Sequence, residues 1–194
     1  MREPPAPRVP AHIVADPAPL GLAAFAMTTF ALSISNTNIW SAASGTAIAL
    51  ALVYGGVAQV LAGMWEFVRK NTFGALAFTS YGAFWISFYV LATKFLKGAP
   101  SDAVAIFLLA WTIFTLYMMI GSFGTNGVLA VLFVVLEVTF IFLTWGNFAN
   151  STGIVKIGGY LGIITAIIAW YASMATVVNP TFGKTIFPTF PFKK

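Results

Sequence analysis

The chain has 194 residues, no cysteine, one histidine and a formal net charge of +5; 59% of it is hydrophobic and only 8% charged. A soluble domain carries about a quarter charged residues, so this composition, with a mean hydropathy of +0.90, predicts a polytopic membrane protein. Disulfide frameworks, thiolate catalysis and cysteine metal sites are excluded, and His12 alone builds neither a metal cluster nor a histidine relay.

Residues 1–15 hold Arg2 and Arg8 among Pro4, Pro5, Pro7 and Pro10, with no apolar core. That predicts a disordered tail rather than a signal peptide. Six apolar stretches follow, each near the ~20 residues a helix needs to cross ~30 Å of hydrocarbon. The first runs from Pro19 to Thr37, with Asp16 as N-cap and Pro17 at the first helical position. Its polar end, Ser33, Ser35, Asn36 and Asn38, leads to Trp40, an interface anchor. The second spans Thr46 to Val68 and ends at Arg69 and Lys70; the third runs from Gly74 to Leu96 and closes with Lys94 and Lys97. Pro100, Ser101 and Asp102 make a turn and cap for the fourth, which ends near Ser122. A short link at 123–127 opens the fifth, ending near Trp145. A loop from Asn147 to Lys156 precedes the sixth, Ile157 to Val178, which Asn179-Pro180 stops. The membrane domain is therefore 16–180, and 181–194 is a second tail.

Six spans put both termini on one side. With the N-terminus inside, that side holds Arg2, Arg8, Arg69, Lys70, Lys184, Lys193 and Lys194, against Lys94, Lys97 and Lys156 on the other. The balance predicts a cell-membrane protein with both termini cytoplasmic, the cations marking orientation rather than a nucleic-acid patch. Two inverted sets of three spans would fit a common transporter plan, Glu66 of span two answering Glu137 of span five.

Ionisable groups within a bilayer are costly and face a pathway or a partner. Glu66 stands one turn before Arg69 and Lys70, which suits an ion pair at the interface. Glu137 lies mid-span with no cation near in sequence: it is protonated, faces water or bonds a neighbouring helix, in a proton-linked or a structural role. No lysine lies mid-span, so a retinal Schiff base is excluded, and no phosphate loop, paired-carboxylate site, metal set or cofactor motif is present. Transport by a small helical bundle fits better than catalysis. Thr28, Thr29, Gln59, Thr79, Ser80 and Tyr81 are scattered among small and aromatic residues. Each bonds its own helix or a neighbour, or else they line a conduit whose phenylalanines form a dry constriction.

Asp16-Pro17-Ala18-Pro19-Leu20-Gly21-Leu22 opens span one, and Tyr81-Gly82-Ala83-Phe84-Trp85 lies in span three. With Tyr54-Gly55-Gly56, Ala62-Gly63-Met64-Trp65-Glu66 and Gly158-Gly159-Tyr160, these strings resemble the acetate uptake transporter family, the acetate–succinate permeases. The likeness covers Asp16 to about Pro188. It implies an all-α membrane protein with six transmembrane helices around a central pore in each protomer, similar to the bacterial urea channels and assembled as a homohexamer. It further implies passage of acetate, and of succinate or other small monocarboxylates, proton-linked or channel-like. By motif matching, the narrowest point involves Phe25, Tyr81 and Leu136, and Ala169 tunes which acids fit. Asp16 stands where the family has Asn, and Glu137 stands beside Leu136 where a neutral residue is expected.

An acid with a pKa near ~4.3 lies 2.7 units below pH 7, so protonating it costs about 3.7 kcal/mol at 1.36 kcal/mol per unit. A bare carboxylate in a dry ring costs several kcal/mol or more, and no cation lies mid-span to offset it. Passage as the neutral acid, or past donors such as Thr28, Thr29, Ser80 and Tyr81 flanking a short constriction, follows. The uncharged lining also suits a neutral solute such as urea or a short amide; a sensor or assembly subunit would show no flux.

Overall fold

The computed structural model describes residues 14–40, 42–95 and 102–192. The proline-rich start, His12, Lys97, Pro100, Ser101, Lys193 and Lys194, on which several expectations fall, lie outside the described residues. Among the described residues, six helices are long and apolar enough to span a membrane: α1 (Ala18–Thr37), α2 (Ala43–Val68), α3 (Thr72–Phe95), α4 (Asp102–Ser122), α5 (Gly127–Phe148) and α6 (Thr152–Phe182).

Their starts follow local chemistry. Asp16 is not itself the N-cap: the helix begins at Ala18 with Pro17 in the capping position and Pro19 inside the first turn. The Asp16 carboxylate still accepts from the Ala18 amide at 3.0 Å, one residue further out than expected. Asn71 caps α3 by accepting from Gly74 N at 3.2 Å, and Asn126 caps α5 by accepting from Leu129 N at 3.0 Å. Ser151 caps α6, which therefore starts at Thr152 and takes Lys156 into the helix. The loop expected at 147–156 shrinks to the three residues 149–151, and Gly146 lies against the Val155 backbone.

Two π-helical turns interrupt the pattern, Val53–Ala58 in α2 and Leu91–Phe95 in α3. Such turns widen a helix by one residue and recur at functional sites. At the first, Gly55 and Gly56 have no side chains, and Thr28 and Ile86 occupy the space beside them.

Pro180 does not stop the last helix. α6 runs on to Phe182 and ends at Gly183, whose φ of 63° supplies the left-handed cap. A proline in the final turn removes only one donor, and Gly183 N (3.2 Å, to Pro180 O) and Lys184 N (3.2 Å, to Asn179 O) satisfy the terminal carbonyls. Asn179 then folds the tail back. Its side chain accepts from Ile186 N (2.8 Å) and Phe187 N (3.0 Å) and donates to Phe187 O (2.8 Å). Tyr171 donates to Pro188 O at 2.9 Å, and Gly127 N and Val128 N at the head of α5 donate to Phe190 O (2.8 Å) and Thr189 O (3.3 Å). Asn179→Ala removes three bonds worth ~0.5–1.5 kcal/mol each. We expect trypsin to cut after Lys184 at least tenfold faster in that variant; an unchanged digestion rate would show that Tyr171 and the α5 amides hold the tail alone.

The helices pack in a definite order. α6 lies against α1 and α5, α3 against α2, and α4 against α5. α4 is outermost: Ile106, Ile113 and Ile120, seven residues apart on one face, are 61%, 61% and 63% exposed. Interhelical hydroxyl pairs join Thr112 to Thr144 (2.9 Å) and Thr139 to Thr165 (3.2 Å), the polar contacts available where lipid removes the hydrophobic drive. Glu66 lies near the end of α2 and Glu137 near the middle of α5, so the two carboxyls do not occupy equivalent depths of two repeats.

Candidate functional site

Two cavities lie end to end along the bundle. The inner one, on the side of the described termini, has a volume of about 100 Å³. Ala18, Gln59, Glu66, Asn71, Asn126 and Thr189 are on its wall, so the starts of α1, α3 and α5, the end of α2 and the folded-back tail all reach it. The outer one, about 170 Å³, is walled by Thr29, Ser33, Asn36, Phe84, Phe140 and Asn147 among others. Both exceed the ~10–15 Å³ that a single water needs. Beyond the outer cavity, an open depression of about 360 Å³ carries Asn36, Asn38, Asn147, Asn150, Ser151 and Lys156.

Phe25 and Leu136 are on the walls of both cavities, and so form the septum between them. Tyr81 closes it from the inner side, its ring centroid 5.7 Å from that of Phe25. Aromatic contacts with Trp111, Phe114 and Phe133 hold the Tyr81 ring. Its hydroxyl is 2.9 Å from Thr115 Oγ1, and both residues are buried. The tyrosine oxygen is thus bonded to a residue that lines neither cavity. Phe84, packed edge-on against Trp111 and Phe140, continues the aromatic lining outward.

One polar side chain flanks the septum on each side. Thr29, one helical turn after Phe25, is on the outer wall, and its hydroxyl has no hydrogen-bond partner. Gln59 is on the inner wall, 1% exposed, and its amide oxygen has no partner. Gln59 immediately follows the π turn of α2, so that turn sets the rotation at which it meets the cavity. Among the described residues no Lys or Arg lines either cavity.

The other expected site residues lie elsewhere. Thr28 is fully buried, donates to Ala24 O at 3.0 Å and packs against Gly55. Ser80 is half-buried, and Ala169 is wholly buried in the core; neither is on a cavity wall. Leu136 lines both cavities whereas Glu137, one residue on, lines neither. In the opening motif, Ala18 and Leu22 line the inner cavity, Gly21 lies against the Phe78 ring, and Pro19 O accepts from Ser173 Oγ at 2.8 Å to tie α1 to α6; Leu20 is 43% exposed.

The ion pairing differs from expectation. Arg69 pairs with Asp16, not with Glu66, and so joins the end of α2 to the start of α1. Glu66 instead accepts from Asn71 Nδ2 at 2.9 Å. Five residues bring Asn71 round the turn onto Glu66, and the guanidinium reaches across to the more exposed carboxylate of Asp16. Thr115 and Thr189 were not singled out in the sequence. Asn71 carried a signal, as an Asn three residues before a glycine at a helix start; Thr115 and Thr189 carried none, because their partners are distant in the chain.

A model of the GPR1/FUN34/yaaH family matches residues 2–194. The succinate-acetate/proton symporter SatP of Escherichia coli K12 is 40% identical over 179 residues, covering 90% of this chain and 95% of that protein. Acetate permease A of Emericella nidulans is 36% identical over 204 residues, covering 95% of this chain and 68% of that protein. Among solved structures, that of the bacterial acetate channel SatP superposes with a TM-score of 0.86 at 39% identity, covering 91% of this chain and 99% of that one. Two chambers separated by an aromatic septum, six membrane-capable helices and a family match over nearly every residue lead to one conclusion: this chain belongs to the GPR1/FUN34/yaaH family.

Proposed function

We propose that the protein carries acetate, and with it other small carboxylates such as succinate, across the cell membrane, and that it is not an enzyme. The names of its relatives motivate the substrate. The observation that carries the reading is the septum: Phe25 and Leu136 shared by two cavities, Tyr81 beside them, and no cation among the described residues on either wall. Dehydrating a carboxylate there costs several kcal/mol or more, whereas protonating an acid of pKa ~4.3 at pH 7 costs about 3.7 kcal/mol. The acid therefore crosses the septum neutral. Thr29 and Gln59 stand on either side to meet its carboxyl group, and Lys156 in the outer depression draws the anion to the mouth. Both termini are cytoplasmic in this reading, and the exposed isoleucine face of α4 meets lipid or a neighbouring protomer of a homohexamer.

Labelled acetate uptake into proteoliposomes tests it, after subtraction of uptake into protein-free vesicles. Uptake rises as external pH falls from 8 to 5, and Tyr81→Ala alters it. Uptake independent of pH over that range counts against passage of the neutral acid, and absence of acetate flux removes the substrate. The uncharged walls also suit urea or a short amide; in that case urea competes with acetate.

A further inference from the structure

Glu66 is a carboxyl group built into the wall of the inner cavity. It is 1% exposed, and its Oε1 has no hydrogen-bond partner. Three features of the chain leave it in that state. Arg69, the cation one turn away, is committed to Asp16. Asn71 donates a single hydrogen bond, to Oε2. Gly74 of α3 leaves the carboxyl its space, since a Cβ there would come within 3.1 Å of Oε1. Purely as a cap for the turn between α2 and α3, a glutamine would serve as well as a glutamate.

The charged and titratable groups around Glu66 are few. α1 brings Asp16 and α2 its own Arg69, which neutralise each other. α3 brings Tyr81, at the far end of the cavity and bonded to Thr115. α5, α6 and the tail bring Asn126, Thr176 and Thr189, which do not titrate. Glu66 is the one carboxyl among the described residues on the walls of either cavity. A substrate anion in the inner cavity thus meets a mostly apolar wall with, among the described residues, no cation and a single carboxyl able to give or take a proton.

We propose that Glu66 is the proton-exchange residue of the transport pathway, converting carboxylate to carboxylic acid on the inner side of the septum. The step balances as a proton transfer. The O–H bond of the Glu66 carboxyl breaks, an O–H bond forms on a carboxylate oxygen of the substrate, and the neutral acid enters the septum. Water at the inner mouth returns a proton to Glu66. In the opposite direction an acid arriving through the septum gives its proton to the Glu66 carboxylate and leaves as the anion. The inference rests on the transport reading above and assigns it a residue.

The test is acetate exchange in proteoliposomes with the same pH on both sides, native protein against Glu66→Gln. Glutamine keeps the hydrogen bond from Asn71, so a structural role is preserved. In the absence of a protein proton donor, flux follows the free neutral acid and falls tenfold per pH unit above the acid's pKa. The Glu66→Gln profile is expected to show that tenfold slope, and the native profile a shallower one over the pH range in which the buried Glu66 carboxyl keeps its proton; Glu137→Gln, off both walls, keeps the native slope. Identical slopes in native protein and Glu66→Gln would overturn the assignment while leaving acetate transport standing, whereas no native flux would remove the transport reading itself. Should Glu66→Gln fail to fold, acetate-induced infrared difference spectra of Glu137→Gln decide the matter. A carboxyl band induced by acetate that stays in place when the acetate is isotope-labelled, and so belongs to the protein, supports the proposal, and no such band overturns it.

Discussion

Gly63→Ala is expected to destabilise the bundle by about 3 kcal/mol or more, the upper range for overpacking a core. A Cβ on Gly63 would strike the Thr79 hydroxyl and stand 2.5 Å from the Thr79 amide nitrogen and 3.0 Å from its Cα. Those are backbone atoms of α3, which cannot rotate aside as a side chain does. Gly82 makes the reciprocal approach, where a Cβ would lie 2.7 Å from Val60 N and 2.9 Å from Gly56 O. α2 and α3 therefore cross with their backbones nearly touching, and any methyl group there separates them. Separation would also displace Tyr81, one residue before Gly82, and with it the septum. Gly45 is the control: a Cβ there meets nothing within 4 Å, so Gly45→Ala stays within about 1 kcal/mol of native. Unfolding midpoints in detergent for the two variants would settle the point. If both shift alike, helix propensity and not the crossing is responsible.

The uneven legibility of this chain has physical causes. Apolar runs long enough to span a bilayer are a local property, so the six helices and the ends at Thr37, Val68 and Ser122 could be read directly. What depended on packing could not. At the π turn of Val53–Ala58, Gly55 and Gly56 admit Thr28 and Ile86, two side chains from other helices, and those contacts are not local in sequence. Pro180 read as a stop, yet the Gly183 cap and the Asn179 side chain carry the helix past it. Arg69 was assigned to its sequence neighbour Glu66, but the approach of α1 to the end of α2 offered Asp16. Motif matching, which compares whole folded relatives, brought Phe25, Tyr81 and Leu136 together where spacing alone could not. It gave no hint that Thr115 holds the tyrosine hydroxyl.

Phe25→Ala is expected to reverse the balance on which the proposed transport step rests. In the native septum the ring of Phe25 separates cavities of about 100 and 170 Å³. In the proposed step the acid sheds its water to pass, and protonation, at about 3.7 kcal/mol at pH 7, costs less than dehydrating the anion. Removing the ring joins the two cavities and leaves a void beside Tyr81 that opens on both to polar groups, Thr29 on one side and Gln59 on the other. A void with polar partners takes up water. A hydrated carboxylate then has a continuous path and no longer needs a proton. Acetate flux at pH 7 should accordingly rise relative to flux at pH 5, and succinate should gain on acetate because the widened ring admits a longer acid. The same substitution removes a ring only 6% exposed and costs about 3–5 kcal/mol of stability, so size-exclusion behaviour must be checked before flux is interpreted. Measuring labelled acetate and succinate at both pH values on folded Phe25→Ala distinguishes the cases. A native pH ratio together with native selectivity would mean that the septum is not the barrier, and that the narrowest point for the acid lies at one of the two mouths instead.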